Sequence, residues 1–472
     1  MYTVYLQRPW PTTLILAVLG GIAMSLAHSP LAFWPALWLM PVAITVIGLG
    51  ANGWQAAVGA VVFAAAGSAG LLSLAWDPAV GVALVAYRLV VLLVTFQLAR
   101  RVRLAWPPAV TAMVYPCVLV ASEFGMSFSP LGTALTDAYL LGDALPLLQL
   151  AAVTGVYGVT FVVAWSGSML GLVLWDPTPG AWRRPVVLAV AVLVAVLVGG
   201  LVNLRSMSGD TLTVAAVHAP SFRGKPQSVA QNLERLDTYA PLVREAVSRG
   251  ARLVVWPEMI LSTEAAWGDS VHAPLAALAR ETEVCQVVGF YHRDTKRNTA
   301  RMIGPDGTLY TEYQKTHLVT AMETSHPGTE PAPVVDLDGV PVGVMICNDD
   351  VFTDVARQLG RDGARLVADP TWDWRDVAVK HAQIPRLRAI ENGYAVVRAT
   401  QGGYSQLIDA RGGLVNWHSS LDEPHQVLVG ELRLGGGSTV YSVLGDVFAW
   451  LVVAGLVVLV VRRPFESRNG TI

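Results

Sequence analysis

Apolar runs too long for a globular core fill the first two hundred positions, and no lysine interrupts them before Lys225. With no water to satisfy backbone groups in hydrocarbon, such a run must be a helix of about 20 residues. Seven runs qualify, at about 11–28, 31–50, 54–75, 79–99, 106–124, 148–174 and 185–203, and an eighth lies at about 440–461. Between them, residues 203 to 435 have ordinary globular composition. The first run lacks a basic segment ahead of it and leads into further spans, so it is expected to stay as a span rather than be cleaved as a signal peptide. The expected fold class is thus a multi-pass α-helical membrane domain of about eight spans joined to an α/β domain. The boundaries are 1–205 for the first seven spans, 206–437 for the α/β part, and 438–472 for the last span and tail.

Arginines in short loops set the orientation. Arg8, Arg100, Arg101, Arg103, Arg183, Arg184, Arg462 and Arg463 all fall on one side if the N-terminus is cytoplasmic, while Asp77, Glu123, Asp137 and Asp143 fall on the other. Seven spans then place the α/β part on the outer face of a plasma membrane. Within "VALVAYRLVVLLV", Arg88 has two readings: a charge facing the bundle interior, or a long side chain reaching an interface. A net charge of −2 without a basic block speaks against a nucleic-acid partner.

From "TLTVAAVHA" onward, short β-rich runs alternate with helical spacing. "ARLVVWPE", "CQVVGFY", "VPVGVMIC", "ARLVADP" and "GYAVVRAT" read as strands, and "KPQSVAQNLERLDTYAPLVREAVSRG" and "VAVKHAQIPRLRAIENG" as helices ending at Gly250 and Gly393, the second interrupted at Pro385. In such domains ligands collect at the C-terminal ends of strands. The three cysteines, Cys117, Cys285 and Cys347, form neither a disulfide framework nor a metal-ligand spacing. "VCQVVGF" stays apolar past Cys285, and Cys117 lies inside a span, so both read as packing. "VPVGVMICNDD" differs, because the strand surfaces into polar residues just after Cys347.

Glu258 in "VVWPEMI" and Lys315 in "YQKTHLV" also follow strand-like runs. Alone, each has an ordinary reading: Cys347 as a small buried hydrophobe, Glu258 as a helix N-terminal carboxylate, Lys315 as a solvated loop cation. Together they suffice for acyl transfer. A carboxylate can take the thiol proton, the thiolate can attack, and a lysine that stays charged can hold the oxyanion.

"VVWPE", "YQKTHLV" and "VMIC", in this order, resemble the Glu, Lys and Cys motifs of the carbon–nitrogen hydrolase (nitrilase) superfamily. The whole chain, including "GVYGVTF", "HAQIPRLRAIENG" and "TVYSVLGD", is similar to the apolipoprotein N-acyltransferase family. The resemblance implies an αββα sandwich and a catalytic Glu258–Lys315–Cys347 triad. It also implies a ping-pong reaction, in which Cys347 takes an acyl chain from a phospholipid in the bilayer as a thioester. The N-terminal amine of a diacylglyceryl-cysteine lipoprotein then accepts it. Glu323 matches a supporting glutamate of that family. No metal or organic cofactor is implied.

The chain departs from the family at Asn348 and Asp349, where Tyr-Glu is usual, and at Thr320, Ala321 and Met322, where Pro-Phe-Gly precedes the glutamate. "VHAPSF" lacks an expected glutamine-containing turn. "DPTWDW" replaces Asn-Asp-Ala-Trp, leaving Trp372 and Trp374 as candidate lipid-contacting aromatics or packing residues. "ICND" resembles soluble amidases of the superfamily. Three alternatives follow: a membrane-tethered amidase-type hydrolase, an acyltransferase with another acceptor and, from a different class, a non-catalytic scaffold.

Overall fold

The computed structural model describes residues 2–29, 32–73, 77–176, 179–206, 209–219, 224–320, 322–421 and 425–461. Arg462, Arg463, Ala321, Pro30, and Pro220 to Phe222 of "VHAPSF" lie outside the described residues.

Among the described residues, six helices are long and apolar enough to cross a membrane. They are α1 (Pro9–His28), α3 (Gly53–Leu72), α4 (Pro78–Val102), the 19-residue span Pro108–Met126 containing α5 (Val114–Met126), α6 (Ala151–Trp175), and Trp182–Arg205 within α7 (Pro179–Arg205). Two further apolar helices are shorter: α2 (Ala36–Gly50) and, at the far end of the chain, Val447–Val461. Every expected run is therefore a helix, though those at 31–50 and 440–461 begin late. In the second case Val440–Leu444 is a separate turn, closed by Gly445 at φ 66°.

Arg88 of α4 faces the interior. Its guanidinium is ion-paired with Asp137 and lies 3.1 Å from Nε2 of His28 at the end of α1. The Asp137 N–H donates to Glu123 at 2.9 Å. This buried pairing, rather than reach toward an interface, is what accommodates the charge inside a span.

The remainder folds as two sheets packed face to face. The first contains β1 (Thr211–His218), β2 (Leu253–Val255), β3 (Leu261–Thr263), β4 (Cys285–His292), β5 (Arg297–Ile303), β6 (Leu309–Gln314) and β13 (Gln426–Arg433), in the order β13-β1-β2-β4-β5-β6 with β3 on β4. The second runs β12-β11-β10-β9-β8-β7, from Leu414–Ser419 through Tyr404–Ile408, Ala395–Gln401, Leu366–Trp372 and Val340–Val344 to Val334–Leu337. All the runs read as strands are strands.

Val214, Val255 and Val287 of one sheet interdigitate with Val344, Leu366 and Val397 of the other, and Cys285 lies in this core. The outer face of the first sheet is covered by α8 (Val229–Ser248) and α9 (His272–Thr282). Against the second lie α10 (Thr353–Arg361), α11 (Arg375–His381) and α12 (Ile384–Asn392). The helix expected at 377–393 with an interruption at Pro385 is two helices, because Pro385 cannot continue α11 and instead opens α12. The arrangement is the expected αββα sandwich. The central strands β1, β2, β4, β8, β9 and β10 pair in parallel and are buried on both faces, which explains their unbroken Val/Leu/Ala runs.

Candidate active site

Glu258 follows β2 and Cys347 follows β8, each at the C-terminal end of a parallel-paired strand, and the Glu258 N–H donates across to the carbonyl of Thr371 on β9 at 3.4 Å. Lys315 follows β6 at the edge of the first sheet, so the three side chains come from both sheets. Gly289 on β4 permits this closeness, since a Cβ there would stand 2.6 Å from Cα of Glu258. All three residues are buried. Lys315 Nζ donates to Glu258 Oε1 at 2.8 Å and to Glu323 Oε1, and Asn298 Nδ2 donates to the same Glu258 oxygen at 2.6 Å. The Val319 N–H holds Glu323 at 3.3 Å.

Burial alone would lower the Lys315 ammonium, but Glu258, Cys347 and Glu323 hold it well above its ordinary value. It is therefore a permanent cation. Burial, then the Glu258 carboxylate, push the Cys347 thiol well up, against the opposing pull of Lys315. The resting sulfur is thus a thiol and needs a base to react. Glu258 is the largest charge acting on it.

Cys347 has φ 49°, a left-handed backbone that a side-chain-bearing residue adopts only when its surroundings impose it. Its N–H donates to Asp369 Oδ1 at 2.9 Å, and Sγ lies 3.7 Å from the carbonyl of Trp372. Asp369 was not singled out in the sequence. Burial and Asp350 raise its carboxyl well above the usual range, while Arg398 on the adjacent strand acts oppositely from 3.4 Å.

Asp349 and Asn348 tie the cysteine turn to the lysine loop. Asp349 Oδ1 accepts from the N–H groups of Thr316 and His317 at 3.2 and 2.8 Å, and Oδ2 accepts from Tyr313 and the Ile346 N–H at 3.0 and 3.1 Å. Asn348 Nδ2 donates to the carbonyls of His317 and Leu318, both at 3.3 Å.

A cavity of about 140 Å³ opens over Cys347, and its wall crosses between the two parts of the chain. Leu84 of α4, with Leu131 and Leu135 of the loop after α5, faces Val377, Ile384 and Trp374 of the sandwich. Trp374 thus lines the site, whereas Trp372 contributes its backbone carbonyl to the sulfur. A larger cavity of about 820 Å³, between α6, α7 and the glycines at 435–437, contains none of the three catalytic candidates.

Cys347, Asp373 and His381 offer ligand atoms within 4.8 Å of one another. Both imidazole nitrogens of His381 are committed, however, to Asp373 at 2.6 Å and Asp350 at 2.8 Å. Burial would lower His381, yet these two carboxylates push it up to about 10. A metal would have to displace a firmly held proton. The donor set fits an ion-paired imidazolium better than a metal centre.

Residues 213–451 match the family model of the carbon-nitrogen hydrolases. An apolipoprotein N-acyltransferase of Geobacter metallireducens is 29% identical over 381 residues, covering 73% of each chain. One from Bradyrhizobium diazoefficiens is 28% identical over 70% of this chain and 69% of its own. A protein of Pseudomonas protegens described as a hydrolase in the pqqF 5′ region is 32% identical over 43% of this chain and 74% of its own. The family match runs from β1 into the last apolar helix and spans just over half of the sequence, so the chain belongs to the carbon-nitrogen hydrolase family.

Proposed function

We propose that the protein is an apolipoprotein N-acyltransferase, working by ping-pong transfer through Cys347. The observation that carries this reading is the cavity over Cys347, whose apolar wall is built partly by a membrane helix. A soluble amidase has no need of such a wall, whereas a lipid acyl chain requires one. In the first half-reaction Glu258 takes the thiol proton and the thiolate attacks an ester carbonyl of a phospholipid. Lys315 faces the oxyanion of the tetrahedral intermediate. Collapse expels the lysophospholipid alkoxide, which takes the proton back from Glu258 and leaves a thioester. In the second, the amine of a diacylglyceryl-cysteine attacks the thioester and Glu258 accepts its proton. Collapse forms the amide and returns the proton to sulfur.

Glu323 and Asp349 position the lysine, and Asn348 pins its loop. Trp374 contacts the acyl chain, while Trp372 acts through its carbonyl. The functional division is 1–205, 206–437 and 438–472, with both termini cytoplasmic and the catalytic part on the outer face, as the loop arginines indicate. A bilayer-held active site meets both lipid substrates without extracting them.

The likeness to the Pseudomonas hydrolase and the Asn348–Asp349 pair support a second reading, in which water resolves the thioester. Intact mass after incubation with phospholipid separates the two. An adduct on Cys347 that survives buffer and moves to a diacylated lipopeptide is expected. Decay at the same rate in buffer would assign a hydrolase, and absence of any adduct would overturn both readings.

A further inference from the structure

Lys380, next to His381 on α11, takes no part in the chemistry above, yet it lines the Cys347 cavity as its one lysine or arginine. It also lines a second cavity of about 310 Å³. That lobe is formed by Trp34 before α2, Ser73 after α3, Tyr139, and Gln383 of the sandwich. Lys380 therefore stands where the lobe at the nucleophile meets a second lobe at the ends of the membrane helices. Among the described residues, no carboxylate forms an ion pair with its ammonium. The charges around it are Arg88, Asp137 and Glu123, with Asp376 on both cavity walls and Arg375 and Asp143 on the second. Burial, then Arg88, lower it to about 8, the cost of holding an unpaired cation there.

We propose that Lys380 is a specificity-determining residue that receives the phosphate of the acyl donor. The inference rests on the acyltransfer reading and identifies the donor class as a glycerophospholipid bound across both lobes. The ester lies at Cys347, the acyl chain against Leu84 and Leu131, and the headgroup beyond Lys380. A phosphate close to an ester is the feature that separates a membrane phospholipid from other esters. A cation one residue from the imidazole that neighbours the sulfur is placed to read it. Phosphate would also relieve the repulsion between Lys380 and Arg88.

The test uses the full chain in detergent micelles and follows Cys347 thioester formation from dioleoyl-phosphatidylethanolamine and from p-nitrophenyl butyrate, which has no phosphate. In Lys380→Gln the ratio of phospholipid rate to p-nitrophenyl ester rate should fall roughly tenfold or more. Lys380→Arg should restore most of that ratio. An equal loss with both donors, or an unchanged ratio, would overturn the proposal. Inorganic phosphate as competitor distinguishes a free-anion site from a lipid site: competition equal to that of the lipid would reassign Lys380 to free phosphate. If wild-type protein forms no adduct from phospholipid while p-nitrophenyl ester acylates it, the acyltransfer reading itself fails and this inference with it.

Discussion

At the residue scale, the nucleophile is defined by what surrounds it. Cys347→Ala is expected to abolish the acyl adduct while shifting the melting temperature little, because only one sulfur is lost and the backbone bond to Asp369 is kept. Retained turnover would remove Cys347 from the mechanism. Asp349 carries more structure than its neighbour, since its two oxygens accept four donors from both flanking segments. Asparagine has one oxygen and cannot satisfy them. Asp349→Asn should therefore let the Lys315 loop drift and slow thioester formation roughly 10- to 100-fold, with the fold retained by circular dichroism.

Burial raises Asp349 to about 6, against the N–H of His317 and the charge of Lys315. A carboxyl raised above its unfolded value is destabilising when ionised. That cost is present above about pH 6 and disappears as pH falls toward the ordinary carboxylate range. Activity should run the other way and decline through the same window, as the carboxylate loses an acceptor position. A pH–rate profile on Cys347 acylation checks this.

At the element scale, the break in α6 holds the sandwich against the membrane helices. Helix α6 is broken at Gly155, where φ is 68° and ψ is −177°. The break frees the N–H of Val156, which donates to Glu391 of α12 at 2.8 Å. A Cβ at residue 155 would stand 2.4 Å from the ring of Tyr441. Gly155→Ala thus combines backbone strain with a clash against a buried ring. It should cost roughly 1–3 kcal/mol or more, read as a lower unfolding midpoint, and an unchanged midpoint would mean that the kink is not required.

Helix α11 depends on the imidazolium of His381. Its folded-state pKa, near 10, lies above that of a free imidazole, so its stabilisation is complete below about pH 6.5 and lost as pH rises through about 10. Wild-type protein should lose thermal stability across that interval, and His381→Gln should flatten the profile.

At the scale of the whole molecule, Arg388 is the joint. It is fully buried and ion-paired with Glu391. It also donates to the carbonyl of Asp350 at 2.7 Å, to Thr133 at 2.7 Å and to Tyr139 at 2.6 Å. One guanidinium thus links the turn after Cys347 to the loop between membrane helices. Thr133 adds a second tie, donating to the carbonyl of Val351 at 2.6 Å. Arg388→Ala would leave Glu391 as an uncompensated buried charge and should cost about 3–5 kcal/mol. Limited proteolysis of the loop at 127–144 should show it loosened, and equal protection in the variant would place the joint elsewhere.

The sequence by itself determined the division into membrane and sandwich parts, the strands, and the residue types of the site. Each of these depends on local patterns: long apolar runs, buried parallel strands, and a polar residue where a strand surfaces. Cys347, Glu258 and Lys315 were legible because their strand-end positions coincide with chemistry. Asp369, Asp373 and His381 were not, because their partners are distant in sequence and "DPTWDW" carries no periodicity. The split at Pro385 was visible as an interruption, but its effect on the fold was not. Arg88 could be read as interior or interfacial until Asp137 and His28 were seen around it. Only the tertiary structure decided that a membrane helix walls the cavity over Cys347 and that Lys380 joins two lobes. Those facts arise from packing between segments separated by hundreds of residues, whose contacts no local pattern encodes.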